Sequence, residues 1–292
     1  MISYERIMID GHDTFYREAG SEQLPPLLLL HGFPSSSHMF RDLIPKLADR
    51  FHIIAPDYPG FGYSAQPPTE QFAYTFDNLA AHIEKLLSRL GLRRFAMYVQ
   101  DYGGPIGFRI ASRNPASVMA IVVQNANAYE EGLSAAWAPL RALWTNYGPE
   151  TVNAVQSFLA AETTIFQYTH GVSDRTKVSP DSYTVDQTTL DRKGNHEVQI
   201  CLFRDYASNL KNYDKWHAYF REFQPRTLIV WGKNDPFFTT EGAHAFLRDL
   251  PKAELHLLDT GHFALEDHCD QIANAIRKFL PGQDAINKTA AK

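Results

Sequence analysis

Six short apolar runs, at residues 27–30, 52–55, 95–99, 120–123, 227–231 and 254–258, alternate with segments of helical period, notably 76–90, 104–112, 241–250 and 264–280. Apolar runs of this length suit strands buried on both faces, and parallel strands of that kind are joined by crossover helices. The pattern predicts an α/β chain, with a mostly parallel sheet flanked by helices on both faces. Between about residues 128 and 224 the alternation stops, while helical periodicity and turn signals continue. A structureless connection of that length is exceptional in a compact domain, so this segment reads as a helical cap inserted between two strands. Residues 1–127 and 225–281 then form the core domain, 128–224 the cap, and 282–292, where the apolar period is lost, a flexible tail. Open parallel sheets bind ligands at the carboxyl ends of their strands. A cap over that edge predicts a pocket restricted from water.

A net charge of −5 offers no basic face for nucleic acid or an anionic membrane. The longest aliphatic stretch, residues 27–30, is far too short to span a bilayer. No basic segment followed by an apolar run and a small-residue cleavage site opens the sequence, so a cytoplasmic monomer or homodimer is expected. Cys201 and Cys269 lie outside any metal-binding spacing and read as free thiols, so no metal site is expected. With 14 Tyr and 19 Phe against 4 Trp, the interior is expected to hold an apolar pocket with several hydroxyl-bearing rings within reach, suited to a small apolar substrate.

The chemistry-bearing residues stand where the strands end. The strand at 95–99 runs through Gln100-Asp101-Tyr102-Gly103-Gly104 into a helix. A reactive side chain on so sharp a turn needs small neighbours, which Gly103 and Gly104 supply on one side; Gln100, on the other, is larger than is usual there. Free N–H groups at the start of the helix favour an ionised Asp101. Taken alone, Asp101 fits a helix cap as well as a nucleophile.

Three further segments bear on that choice. His31-Gly32-Phe33-Pro34 follows the first buried strand and brings the N–H of Phe33 towards the turn, where the N–H of Tyr102 also points; two such donors make an oxyanion hole. The Phe33–Pro34 bond is a candidate for the cis form, and His31 reads as structural. One later strand ends on Asp235 and the next leads to His262. Nucleophile, acid and base in that chain order reproduce the order of the α/β-hydrolase triad. The Gly60-Phe61-Gly62 segment opens no helix and lacks a third glycine, so it shapes a loop and is no dinucleotide site.

On these residues the chain resembles the α/β-hydrolase superfamily and, more narrowly, its epoxide hydrolase and haloalkane dehalogenase branches, which share an Asp nucleophile. The resemblance covers most of residues 25–281. It implies the α/β-hydrolase fold with a cap, an alkyl ester formed on Asp101, and hydrolysis of that ester by water activated by His262, which Asp235 orients. It implies no metal or organic cofactor. Chemistry points the same way: a carboxylate attacking an ester carbonyl gives a mixed anhydride, whereas attack on saturated carbon bearing a leaving group gives an ordinary ester.

The leaving group distinguishes the branches. Dehalogenases usually place a tryptophan directly after the nucleophile, with a second Trp or an Asn nearby, whereas this chain has Tyr102 and Phe33. Epoxide hydrolases donate to the departing oxygen from two cap tyrosines. Tyr206 resembles the second of these, three residues before Asn209, although Ala207 stands where an arginine often follows. Tyr147 is the candidate for the first and Tyr168 its rival. Tyr168, Trp137 and Trp144 are expected to contact substrate, and Trp216 to fill cap core or line the pocket. The leading expectation is an epoxide hydrolase that converts an apolar epoxide to a vicinal diol. Alternatives are a haloalkane dehalogenase and a hydrolase-fold ligand-binding protein with little turnover.

Overall fold

An amino-terminal hairpin, β1 (Ile2–Ile9) and β2 (His12–Ala19), precedes the six strands that the apolar runs predict: β3 (Pro26–Leu30), β4 (His52–Pro56), β5 (Phe95–Gln100), β6 (Val118–Gln124), β7 (Arg226–Gly232) and β8 (Glu254–Leu258). In this computed structural model, which describes residues 1–280, they form one sheet in the order β1-β2-β4-β3-β5-β6-β7-β8. β1 and β2 pair antiparallel with each other, as do β2 and β4; every other pairing is parallel. The tail expected at 282–292 lies outside the described residues.

Eleven α-helices accompany the sheet among the described residues. In the core they are α1 (Leu43–Leu47), α2 (Phe76–Arg89) and α3 (Gly103–Arg113). Between β6 and β7 come α4 (Ala138–Thr145), α5 (Pro149–Val155), α6 (Ala161–Thr169), α7 (Pro180–Leu190), α8 (Asn195–Asp205) and α9 (Ala207–Phe223). Back in the core follow α10 (Thr240–Asp249) and α11 (Leu265–Phe279). The two-residue period of the strands divides the core between the faces of the sheet. Leu27, Leu29, Ile53 and Val122 pack with residues of α1 and α11, whereas Leu28, Leu30, Ile54 and Val123 pack with residues of α2, α3 and α10. None of the described helices is long and apolar enough to cross a membrane.

Three strands, β1, β2 and β8, depart from the apolar pattern. Ser3, Glu5 and Arg6 interrupt the apolar residues of β1, as Asp13, Arg17 and Glu18 do those of β2; the turn between them, Asp10-Gly11, has φ of 50° and 81°, the geometry that a tight hairpin favours. β8, expected to be buried on both faces, is instead an edge strand with three of its five residues exposed.

One edge of the sheet collects the chemistry. Because β5, β6, β7 and β8 are neighbours and parallel, their carboxyl ends lie side by side, and Asp101, Asn125, Asp235 and His262 each follow one of them within a few residues. The helices between β6 and β7 are tied to the core beside this edge. Arg109 of α3, buried, pairs with Asp77 of α2 (2.6 Å) and reaches across to Asn209 Oδ1 (2.6 Å) and Ser208 Oγ (2.8 Å) of α9. The backbone N–H of Phe76 donates to Asp205 at 2.8 Å.

Candidate active site

Asp101 lies between β5 and α3 with a φ of 46°, a left-handed conformation that a non-glycine residue adopts at some cost. Its surroundings leave no room for larger neighbours. A Cβ on Gly103 would fall 2.1 Å from the carbonyl oxygen of Leu30, and one on Gly32 would fall 2.3 Å from Asp101 Cβ and 2.5 Å from Gln100 Oε1. The missing side chain at Gly32 is what gives the larger Gln100 its space. The Phe33–Pro34 bond is cis, and the N–H of Phe33 donates to Asp101 Oδ1 at 2.8 Å.

Burial pushes the Asp101 carboxyl up to about 6. The charge of His262 and the backbone N–H groups of Phe33 and Tyr102 oppose that rise, so the carboxylate remains the dominant form near neutral pH.

His262 is 1% exposed. Its Nδ1–H donates to Asp235 Oδ2 at 2.7 Å, and its Nε2 faces Asp101 Oδ2 at 4.0 Å. An N–H of Gln100 donates to Nε2 at 2.9 Å, while the buried Gln100 Oε1 has no partner. These bonds fix the neutral tautomer, with its lone pair on the nitrogen nearer Asp101. Burial alone would lower the basicity of His262; the charge of Asp235, its hydrogen bond and the charge of Asp101 outweigh that and hold the imidazole above its ordinary value.

Asp235 is itself fixed. The N–H groups of Phe237 (2.8 Å) and Phe238 (3.2 Å) donate to Oδ1, and Asn125 Nδ2 donates to Oδ2 at 2.8 Å. Asn125 also bonds Gly232 through both ends of its amide. Gln124 donates to the carbonyl of His262 at 3.1 Å. Gln100 stands out in the sequence only by its size, and Gln124 and Asn125 not at all. Their signal is a polar residue at the carboxyl end of an otherwise apolar strand.

Asp101 and His262 open onto a cavity of about 50 Å³. Its apolar wall comprises Phe33, Ala136, Trp137, Leu140, Phe158, Phe203 and Phe237, and its remaining residues are Tyr102, Gln167 and Tyr206. The cavity is on the scale of a few waters and not of a long chain. The Tyr206 hydroxyl is buried without a hydrogen-bond partner, and the hydroxyl of Tyr102 likewise makes no hydrogen bond to a described residue. The two rings lie with centroids 6.0 Å apart. Burial drives the Tyr206 phenol well above its ordinary range, so it stays protonated.

Three expectations need correction. Tyr147 is not at the cavity: α4 stops at Thr145, Asn146 leaves the helical conformation with φ −140° and ψ 87°, and Tyr147 stands 53% exposed under the Arg204 guanidinium. A continued helix would have carried it inward, one turn beyond the buried Leu143. Tyr168 is buried, but it lies outside the cavity lining. Its hydroxyl bonds Asp186 and Ser35 and its ring stacks on Phe263 at 3.9 Å, while Gln167, one residue earlier on α6, takes the cavity-facing place. Trp144 stands behind Tyr206, stacked on it at 6.0 Å, with its indole N–H bound to the carbonyl of Phe203 at 2.7 Å. Trp137 does line the cavity, although its N–H is bound to the carbonyl of Phe237 at 3.0 Å. Trp216 is fully buried away from the cavity lining. Among the described residues no group of His, Cys, Asp and Glu side chains has a metal-binding arrangement.

Comparison with known proteins fits this geometry. The model of the alpha/beta hydrolase fold matches residues 25–268. The chain is 44% identical to an uncharacterized hydrolase of Saccharomyces cerevisiae, over 91% of this chain and 93% of that protein. Haloalkane dehalogenase DbeA from Bradyrhizobium elkani superposes with a TM-score of 0.81 at 22% identity, covering 95% of this chain and 97% of that one. The epoxide hydrolase CorEH superposes with a TM-score of 0.76 at 21% identity, covering 96% and 98%. The chain therefore belongs to the α/β-hydrolase fold family, with haloalkane dehalogenases and epoxide hydrolases among the proteins that share its fold.

Proposed function

We propose that the protein is an epoxide hydrolase acting on small substrates, with Asp101 as nucleophile, His262 as base, Asp235 as its orienting acid and residues 128–224 as the cap that closes the pocket. The observation that carries this reading is the pair of tyrosines, Tyr206 and Tyr102, that line the cavity holding Asp101 and whose hydroxyls have no protein partner. An opening epoxide needs donors on its oxygen. A departing halide needs N–H donors, and the indole N–H groups of Trp137 and Trp144 are already bound to backbone carbonyls.

In the first step an Asp101 oxygen attacks a ring carbon, the carbon–oxygen bond of the ring breaks, and the oxygen takes a proton from Tyr206. In the second, His262 removes a proton from water, the water oxygen adds to the carboxyl carbon of Asp101, and the N–H groups of Phe33 and Tyr102 hold the oxyanion. Collapse releases the diol and restores the carboxylate, and the proton held by His262 returns to the tyrosinate. Esterification removes the Asp101 charge, one of the influences that raises the basicity of His262. The first step thus readies the imidazole, in its neutral form, for the second.

An assay in oxygen-18 water with 1,2-epoxybutane and 1-bromobutane as matched probes tests the reading. The expected result is diol from the epoxide, no bromide from the halide, and, in a single turnover, the label in Asp101 with unlabelled diol. Bromide release without diol would make the protein a dehalogenase instead.

The acid side of the pH profile follows from the same groups. Asp101 attacks only when ionised, and its carboxyl titrates at about 6. Protonation of His262, raised from its ordinary value, also removes the base. Both losses occur as pH falls, whereas Tyr206 keeps its proton well beyond pH 10. The expected kcat/KM, which reports alkylation of Asp101, declines below about pH 6, kcat falls from a higher pH as His262 protonates, and neither is lost between pH 8 and 9. A basic limb in that interval would mean that another group supplies the proton.

A further inference from the structure

One polar group on the cavity is left over once these roles are assigned. Gln167 is 4% exposed and lines the cavity, yet its amide makes no hydrogen bond to any described residue. Its helix neighbours are satisfied: Thr164 donates to Gln187 at 2.6 Å, and Tyr168 bonds Asp186 and Ser35. With no protein partner the amide is left to water in the cavity, and a purely apolar occupant that displaced this water would leave it stranded. A ligand with a hydrogen-bonding group would satisfy it.

Resting on the epoxide hydrolase reading, we infer that Gln167 is a specificity residue: the preferred substrate carries an oxygen substituent, a hydroxyl or carbonyl, close to its epoxide ring, and the Gln167 amide receives it. The small cavity keeps that substituent within a few bonds of the reacting carbon. The substrate class is then short oxygenated epoxides and not plain alkyl epoxides. An amide both donates and accepts, so either substituent fits, whereas a methyl group in its place fits neither end.

Glycidol and 1,2-epoxybutane make the test, because they have the same number of heavy atoms and differ by a hydroxyl in place of a methyl. For the wild type, kcat/KM for glycidol is expected to exceed that for 1,2-epoxybutane by at least about tenfold, and Gln167→Met to reduce that ratio by at least about tenfold. A wild-type ratio near or below one, or a ratio unchanged in Gln167→Met, overturns the assignment while diol formation still supports the parent reading. If Gln167→Met does not fold, the wild-type ratio alone decides. Absence of diol from both epoxides in the wild type, with no ester on Asp101 in His262→Gln, overturns the parent reading and this inference with it.

Discussion

Mixed with excess 1,2-epoxybutane, the His262→Gln protein is expected to gain the mass of one epoxide on Asp101 and then to stop, its turnover reduced by about 10³-fold or more. The asymmetry arises because the two steps ask different things of the site. Attack by Asp101 needs its carboxylate and a donor on the departing oxygen. Release needs a base for water, and His262 Nε2, 4.0 Å from Asp101 Oδ2, is the basic nitrogen facing that carboxylate. Glutamine keeps a polar side chain in the space but offers no comparable base. Intact-mass measurement followed by peptide mapping locates the adduct, and Asp101→Asn serves as the variant that forms none. Wild-type turnover with no adduct in His262→Gln would exclude a covalent intermediate.

Tyr206→Phe should strike the other step. Loss of a general acid typically slows the step it serves by about 10²–10⁴-fold, so ester formation should fall by that order. Single-turnover adduct formation in a His262→Gln background isolates this step. Because the Tyr206 hydroxyl has no protein partner, its removal strands no other group, and thermal stability should hold while the rate collapses. Tyr102→Phe is expected to act in the same direction with a smaller effect, since Tyr206 still supplies the proton. An unchanged alkylation rate in Tyr206→Phe would make that ring a packing residue only.

Legibility in the sequence followed the physics of each part. Buried parallel strands are written as continuous apolar runs, so β3 to β7 could be read directly, and with them the places of Asp101, Asp235 and His262, which the strand order gathers at one edge. β1 and β2 leave no run to read, because polar and charged residues interrupt their apolar ones. Within the insertion, periodicity shows that a helix exists but not where it stops. Tyr147 was misplaced for that reason: the break at Asn146, one residue beyond α4, decides whether the next ring points in or out. Tyr168 and Gln167 are adjacent on α6, and the turn of about 100° between them, which follows from 3.6 residues per turn, sends one to Asp186 and the other to the cavity. The bonds of Gln100 to His262 and of Asn125 to Asp235 join residues distant in sequence, so a polar residue at a strand end does not by itself reveal its partner.

The Arg109 contacts carry a consequence for how such an enzyme diversifies. Arg109 holds Ser208 and Asn209, and the Phe76 N–H holds Asp205, so Tyr206 is gripped from both sides by the core that also carries Asp101. The wall opposite is built differently: side chains of α4 and α5 hydrogen-bond only within residues 125–225, as in Arg141 to Glu130 and Trp144 to Phe203. Leu140 lines the cavity from α4, whose hydrogen bonds stay in that part of the chain, while Trp144 of the same helix stacks on Tyr206. On the epoxide hydrolase reading, substitution of Leu140 is expected to shift substrate range, and substitution of Arg109, Asp205 or Asn209 to lower turnover.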